Sequence, residues 1–318
     1  MLVAMSDMIL DRRGRMQDTP PFLAPVTERE RSIGRLVLFI VVGGLLAVLA
    51  SVLAVMAATI VAVLVGGMPV DQITRLLTGE GGEDRPLLSY AFEFSVAGLS
   101  LFAMAVVLIA IAARIYKRPM KSFITAAPRF RWRLVGLGVL VAAPIVGLAI
   151  LTELAWATTP LEPPILRAVN WGEAAGYIGV ATLFLFLAAL AEEMVFRGWL
   201  LQQTSAFTRS IPILLVVNGV LFSLVHADPD PGAFLVRAAM GMGWCWIGLR
   251  LGGLEFATGA HLANNLAITL LVEPLTLKLP TGEASDPRAV LLQLAMVAVT
   301  VAVVEFVLRR RQRVDASR

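Results

Sequence analysis

Two histidines occur in 318 residues, and each stands inside an apolar stretch one helical turn from a second distinctive residue. His226 closes the run Phe222-Ser-Leu-Val-His226, and His261 opens His261-Leu-Ala-Asn-Asn265. A third stretch, Ala191-Glu192-Glu193-Met-Val-Phe-Arg197, puts adjacent carboxylates and an arginine at the end of another apolar run. Ionisable groups at membrane depth cost at least ~2.5–3.5 kcal/mol each on insertion scales, so a chain that keeps several there is expected to use them. Carboxylate, imidazole and amide are the groups that activate water and hold an oxyanion. A carboxylate at Glu192 beside His226 can deprotonate a water between them. Asn265 and His261 can then stabilise the oxyanion formed when that water attacks an amide. Glu193 and Arg197, four apart on one helix, suit an ion pair that fixes the helix. Glu192, His226 and His261 can alternatively bind zinc with one position open for water. The spacing is not the His-Glu-x-x-His signature, and an amide stands at Asn265 where that signature has its second histidine. An amide is a poor zinc ligand and a good oxyanion donor, so the reading without an obligatory metal is preferred.

These residues must be positioned by helices in a bilayer. Hydrophobic residues make up 58% of the chain and charged residues 16%, with a mean hydropathy of +0.80, which excludes a soluble globular domain. The composition predicts an all-α polytopic membrane bundle of about eight transmembrane helices. The expected spans are 36–65, 90–113, 134–154, 172–203, 211–226, 233–249, 255–272 and 290–308, most of them near the ~20 residues that cross a hydrocarbon core. The division expected is a tail over 1–35, a single membrane domain over 36–308 with its motif-bearing core at 172–272, and a basic tail over 309–318. The first apolar run is too long for a signal-peptide core and reads as an anchor.

Arg114, Lys117, Arg118, Lys121, Arg129, Arg131 and Arg133 fill the second connection, and Arg309, Arg310, Arg311 and Arg313 follow the last span. The positive-inside rule puts both in the cytoplasm and gives a multi-pass cell-membrane protein with both termini inside. The net charge of +4 therefore belongs to the membrane and not to nucleic acid. Cys245 is the only cysteine, so no intramolecular disulfide forms. Glu93, Arg237 and Glu305 read as snorkelling or cavity-edge groups. Trp132, Trp171 and Trp199 read as interfacial anchors, and Gly241, Gly243 and Gly248 as close helix packing.

Spans four and five, taken as an antiparallel hairpin turning near residues 206–210, bring Glu192 and His226 to similar depth at ~1.5 Å per residue. Asn218, Phe222 and His226 share one face of span five. Counting down span six and back up span seven leaves His261 short of that depth.

The ordered set Glu192-Glu193-x-x-x-Arg197, Phe222-x-x-x-His226 and His261-x-x-x-Asn265 on successive spans resembles the CPBP family, the type II CAAX prenyl endopeptidases and their bacterial relatives linked to bacteriocin processing and immunity. The resemblance covers roughly residues 172–272. It implies an all-helical intramembrane endopeptidase with a catalytic cavity open to the cytoplasm. Glu192 and His226 would be its water-activating pair, His261 and Asn265 its oxyanion stabilisers, and Glu193 and Arg197, with Phe222, supporting residues. Members of that family have been called both metalloproteases and glutamate-dependent proteases. The expected partners are the lipid bilayer and a membrane-associated or lipid-modified peptide or protein, cut near its C-terminus. The rival is a catalytically idle immunity or scaffold protein whose polar cluster binds a partner peptide. A small-solute transporter ranks last, because no paired halves with broken helices are visible.

Overall fold

The computed structural model describes residues 16, 18–82, 85–156, 162–278 and 282–316. Arg12, Arg13 and Arg15 of the N-terminal basic cluster, and Pro160 and Leu161 of the loop before the fourth span, lie outside the described residues. Among the described residues the fold is all-helical, with no strand. The long elements are α1 (Ile33–Leu64), α2 (Val70–Leu77), α3 (Leu87–Tyr116), α4 (Trp132–Leu154), α5 (Trp171–Ser205), α6 (Ile211–Leu224), α7 (Pro231–Leu251), α8 (Glu255–Leu271) and α9 (Pro287–Ala316).

Among the described residues a helix stands at each of the eight expected spans, but only six, α1, α3, α4, α5, α7 and α9, are long and apolar enough to cross a membrane. Helix α6 has 14 residues and α8 has 17. Helix α8 is enclosed by its neighbours, whereas α6 keeps Ile213, Val216 and Leu224 exposed. The first nine residues of α8, from Glu255 to Ala263, are all buried. Helix α2 was not expected. It is a short amphipathic helix that turns Ile73 and Leu76 into a cluster with Phe92 and Val96 of α3.

Helix α1 lies at the rim with most of its apolar surface exposed, Leu45 and Leu64 among it, as befits a helix solvated by lipid. It packs on α3, α3 packs on α5, and α8 sits between α4, α5 and α7. Small residues allow the closest approaches, which is how helices associate where lipid is as apolar as the side chains. Gly259 of α8 lies against the Val135 carbonyl and Gly138 of α4 against the Phe256 carbonyl, with no room for a Cβ at either. Gly241 of α7 meets Gly219 of α6 in the same way, and Gly243 meets Val297 of α9. Gly248 has more space and is not a close contact.

Gly259→Ala should therefore force α4 and α8 apart, at the ~1–3 kcal/mol or more typical of overpacking. A lower thermal midpoint in detergent is the expected result. An unchanged midpoint would mean that the two helices do not cross at this glycine.

The connection from α3 to α4 plugs into the bundle. Phe123 is fully buried, Leu254 N–H donates to the Ile124 carbonyl at 3.1 Å and Ala126 N–H to the Gly252 carbonyl at 2.9 Å. Arg131 grips Glu255 through Nε at 2.9 Å and Nη2 at 2.6 Å, and caps the Leu251 carbonyl at 2.8 Å. The turn between α7 and α8 is thus covered by residues 123–131, so α8 starts inside the protein. That recess is why residue counting left His261 too shallow.

The N-terminal segment is similarly tied down. Phe22 and Leu23 join the core of α3, α5 and α6, and Gln202 Nε2 donates to the carbonyls of Phe22 at 3.0 Å and Ser122 at 2.8 Å. Arg118, whose guanidinium is pushed down to about 10 by burial against the opposing pull of Glu30, lies 3.3 Å from the Glu30 carboxylate.

The groups expected to snorkel or to edge a cavity are ion-paired. Glu93 meets Arg85, Arg237 meets Asp228 at 2.8 Å, and Glu305 accepts from Arg250 at 2.7 Å and Trp246 at 2.9 Å. Trp132 and Trp171 are exposed, whereas Trp199 stacks on Phe39 at 4.3 Å between ring centres.

Candidate active site

Helix α5 does not continue as a regular α-helix past Glu193. Residues Met194–Leu200 form a π-helical stretch, a wider turn that recurs at functional sites and re-aims the side chains around it. Gly198 lets this stretch lie directly against the Phe123 carbonyl, where a Cβ would clash.

At this bulge Glu192, Glu193 and Arg197 are set against α8. Glu193 and Arg197 have no exposed surface. Glu193 Oε1 lies 3.0 Å from His261 Nδ1, and its Oε2 lies 3.2 Å from Arg197 Nε. Glu192 Oε2 lies 3.8 Å from His261 Nε2. The His261 ring is therefore held between two successive carboxylates, one on each ring nitrogen. A ring that is protonated on both nitrogens offers a donor to each.

Phe222 is the hub of the opposite wall. Its ring meets those of Phe196 at 5.2 Å, His226 at 5.0 Å and His261 at 6.0 Å, each edge to face. The Arg197 guanidinium stacks 4.2 Å from its centre, a cation–π contact that gains strength where water is excluded. His226 lies just past the end of α6 and is half-buried. Its Nδ1 lies 2.7 Å from the Phe222 carbonyl, which makes Nδ1 the donor in the neutral ring and leaves Nε2 as an acceptor. Glu192 and His261 are both electrostatic neighbours of His226.

The structure thus brings Glu192, Glu193, Arg197, Phe222, His226 and His261 together. Glu192 stands closer to His261 than the pairing with His226 had suggested. Asn265 is one turn beyond His261 on α8, half-buried, and its Oδ1 accepts from Asn264 Nδ2 at 3.2 Å. That bond leaves the Asn265 amide N–H groups free to donate. Asn264 went unremarked in the sequence because an adjacent residue on a helix ordinarily faces elsewhere.

Glu192, His226 and His261 also test the zinc reading. Among the described residues no three His, Cys, Asp or Glu side chains are grouped closely enough to hold a metal ion. Nδ1 of both histidines is already engaged, so only the Nε2 atoms and Glu192 are open to a ligand.

The loop after His226 is braced by charge. Asp230 caps α7 by accepting from Gly232 N–H at 3.1 Å and Ala233 N–H at 2.8 Å, and it takes a further short bond from the Ser285 hydroxyl. Ser285 foremost, then the Ala233 amide, hold the Asp230 carboxyl down to about 2. Burial pushes Asp228 up, but the Asp230 amide and Arg237 outweigh it and keep that carboxyl below its ordinary value.

A depressed carboxyl stabilises the fold above its unfolded pKa of ~4 and loses that contribution as pH falls through the folded value. Wild type should therefore exceed Asp230→Asn in thermal midpoint at neutral pH, with the gap closing as pH falls toward 2. A gap that persists at that acidity would show that the carboxylate charge is not what braces the loop.

Residues 174–267 match the family model described as "Type II CAAX prenyl endopeptidase Rce1-like". Over 178 residues the chain is 27% identical to "Uncharacterized protein YyaK" of Bacillus subtilis (strain 168), an alignment that covers 54% of this chain and 58% of that relative. No solved structure matches. The segment that contains Glu192, Glu193, Arg197, Phe222, His226, His261 and Asn265 is thus similar to the type II CAAX prenyl endopeptidases of the Rce1-like family, which bears out over that segment the resemblance read from the three motifs.

Proposed function

We propose that this chain is an intramembrane endopeptidase that hydrolyses a peptide bond near the C-terminus of a membrane-associated or lipid-modified substrate. The observation that carries the reading is His261 flanked by Glu192 and Glu193, with the second imidazole, His226, across the Phe222 ring. A lone charge cluster at a membrane surface has no need of this arrangement, which confines two carboxylates and two imidazoles with little solvent.

The chemistry follows from the free positions. A water between Glu192 and the open His226 Nε2 loses a proton to the Glu192 carboxylate as its oxygen attacks the scissile carbonyl carbon. The negative charge that forms on the carbonyl oxygen is met by the Asn265 amide and by Nε2–H of a His261 ring protonated on both nitrogens. Collapse of the tetrahedral intermediate breaks the C–N bond, and the proton held by Glu192 passes to the leaving amine. Glu193 and Arg197 touch no reacting atom. They position His261 through its Nδ1. The orientation we propose has both termini in the cytoplasm, because the positive-inside rule assigns the Arg-rich connections to that side. Purified protein incubated with prenylated and unprenylated membrane peptides tests the reading, and release of a C-terminal fragment is the expected product.

We further propose that no zinc ion is obligatory. Metal analysis of chelator-treated protein should leave hydrolysis undiminished. Stoichiometric zinc whose removal eliminates activity, and whose return restores it, would replace the glutamate base by a metal-bound hydroxide.

A further inference from the structure

Arg197 and Asn218 are both almost wholly enclosed, with 0% and 1% of their surface exposed, and each has polar atoms that no described group satisfies. None of the three guanidinium nitrogens of Arg197 makes a hydrogen bond, and neither does Glu193 Oε2, although Arg197 Nε is at ion-pair distance. Asn218 donates from Nδ2 to the Leu214 carbonyl at 3.0 Å, which fixes its amide orientation and leaves Oδ1 without a donor. Each such group has given up its water without a replacement partner, and native proteins seldom leave them so.

Register puts these groups together. Helices α5 and α6 run antiparallel from the turn at 206–210, and Leu201 and Leu214 belong to one packed cluster. One turn further from the hairpin end, Arg197 precedes Leu201 and Asn218 follows Leu214. Arg197 in turn lies over Phe222, one turn beyond Asn218. The register of the hairpin therefore puts Asn218 on α6 one turn from Phe222, the residue that Arg197 covers, on the side toward the turn. Cys245 of α7 is fully buried and is an electrostatic neighbour of both Arg197 and Glu193.

The chemistry of the orphans selects the occupant. Arg197 offers only donors, while Asn218 Oδ1 and Glu193 Oε2 offer only acceptors. A single molecule that serves all three must accept and donate, it must be small, and it must be neutral beside an already paired ion. We propose that Arg197, Glu193 and Asn218 enclose an internal hydration site of one or a few water molecules, and that Asn218 is through it a positioning residue for the Glu193–His261 pair. A buried water needs two to four polar partners, and these three residues supply them. An anion is disfavoured because two of the three partners present acceptor oxygens.

The hydration site stands on geometry alone, whereas its consequence for turnover rests on the peptidase reading. An experimental structure of the full chain, resolved well enough to show ordered solvent, should place density ~2.7–3.2 Å from both an Arg197 nitrogen and Asn218 Oδ1. A direct Arg197–Asn218 hydrogen bond, or a gap without density, overturns the proposal. The chain has two histidines, so ring-labelled protein gives two imidazole signals. Asn218→Leu should move the His261 signal, while Asn218→Ser, which leaves room for a water beside its hydroxyl, should keep it near the wild-type position. If Asn218→Leu fails to fold, Asn218→Ala against Asn218→Ser makes the same comparison. A His261 signal that stays in place in the leucine or alanine variant sinks the positioning role. In hydrolysis Asn218→Leu should lower kcat about tenfold with KM unchanged, as expected of a lost orienting contact. Wild-type turnover in that variant also counts against the role. A wild type that cleaves no peptide defeats the peptidase reading, and the solvent density and ring signals still decide the hydration site.

Discussion

Glu192→Gln should abolish measurable peptide hydrolysis, at a loss in the ~10²–10⁴-fold range that a positioned general base contributes, while the helical content and thermal midpoint stay near wild type. The argument rests on what the side chain does and does not hold. Glu192 is partly exposed at 19%, against none for Glu193, and its Oε2 makes no hydrogen bond to a described group. His261 Nε2 lies 3.8 Å from Oε2, too long for a hydrogen bond. Glutamine preserves the shape and leaves these slight contacts almost unchanged, yet it cannot accept a proton at neutral pH. The measurement is turnover of prenylated and unprenylated peptides by purified wild type and variant at matched folding. Equal turnover removes Glu192 from the chemistry. Turnover by neither protein, with peptide still bound, favours the non-catalytic immunity or scaffold role.

Much of this site was legible because helical periodicity is a local rule. Spacings of four put Phe222 under His226 and Asn265 above His261 before any fold was known, and the hairpin argument correctly brought α5 and α6 to a common depth. The remainder depends on contacts remote in sequence. The depth of His261 is set where Arg131 clasps Glu255, 124 residues away, and no count along α7 and α8 contains that information. The π-helical stretch at Met194–Leu200 is equally silent in composition, since its residues would suit an ordinary α-helix. It exists where Gly198 can lie on the Phe123 carbonyl. Periodicity puts Asn218 on one face with Phe222 and His226, but its unmet Oδ1 emerges only when the partners across the helix pair are known. The ion pairs of Glu93, Arg237 and Glu305, which the sequence places as snorkelling or cavity-edge groups, are hidden for the same reason. Each finds its counter-ion across a turn, a loop or a neighbouring helix.

Glu193→Gln should act in the opposite sense to Glu192→Gln, lowering stability far more than a surface change would and reducing turnover as a consequence of displacing His261. Removing one member of a buried pair leaves the other charge uncompensated, which costs ~3–5 kcal/mol in proteins. Here Arg197 has no exposed surface and no hydrogen bond to a described group, and the described groups that attract its charge are Glu193 at 3.2 Å and the Phe222 ring at 4.2 Å. A cation–π contact of ~2 kcal/mol cannot replace a lost counter-ion. The double variant Glu193→Gln, Arg197→Leu tests this cause, because it removes the stranded charge along with its partner. If the stranded charge is responsible, the double variant should regain most of the midpoint lost by Glu193→Gln, since apolar replacement of a buried pair is often neutral or stabilising. It should still hydrolyse poorly, because His261 Nδ1 then faces an amide in place of a carboxylate. A Glu193→Gln midpoint equal to wild type would show that Arg197 draws its compensation from elsewhere. Recovery of full turnover in the double variant would show that the Glu193 carboxylate does not orient His261.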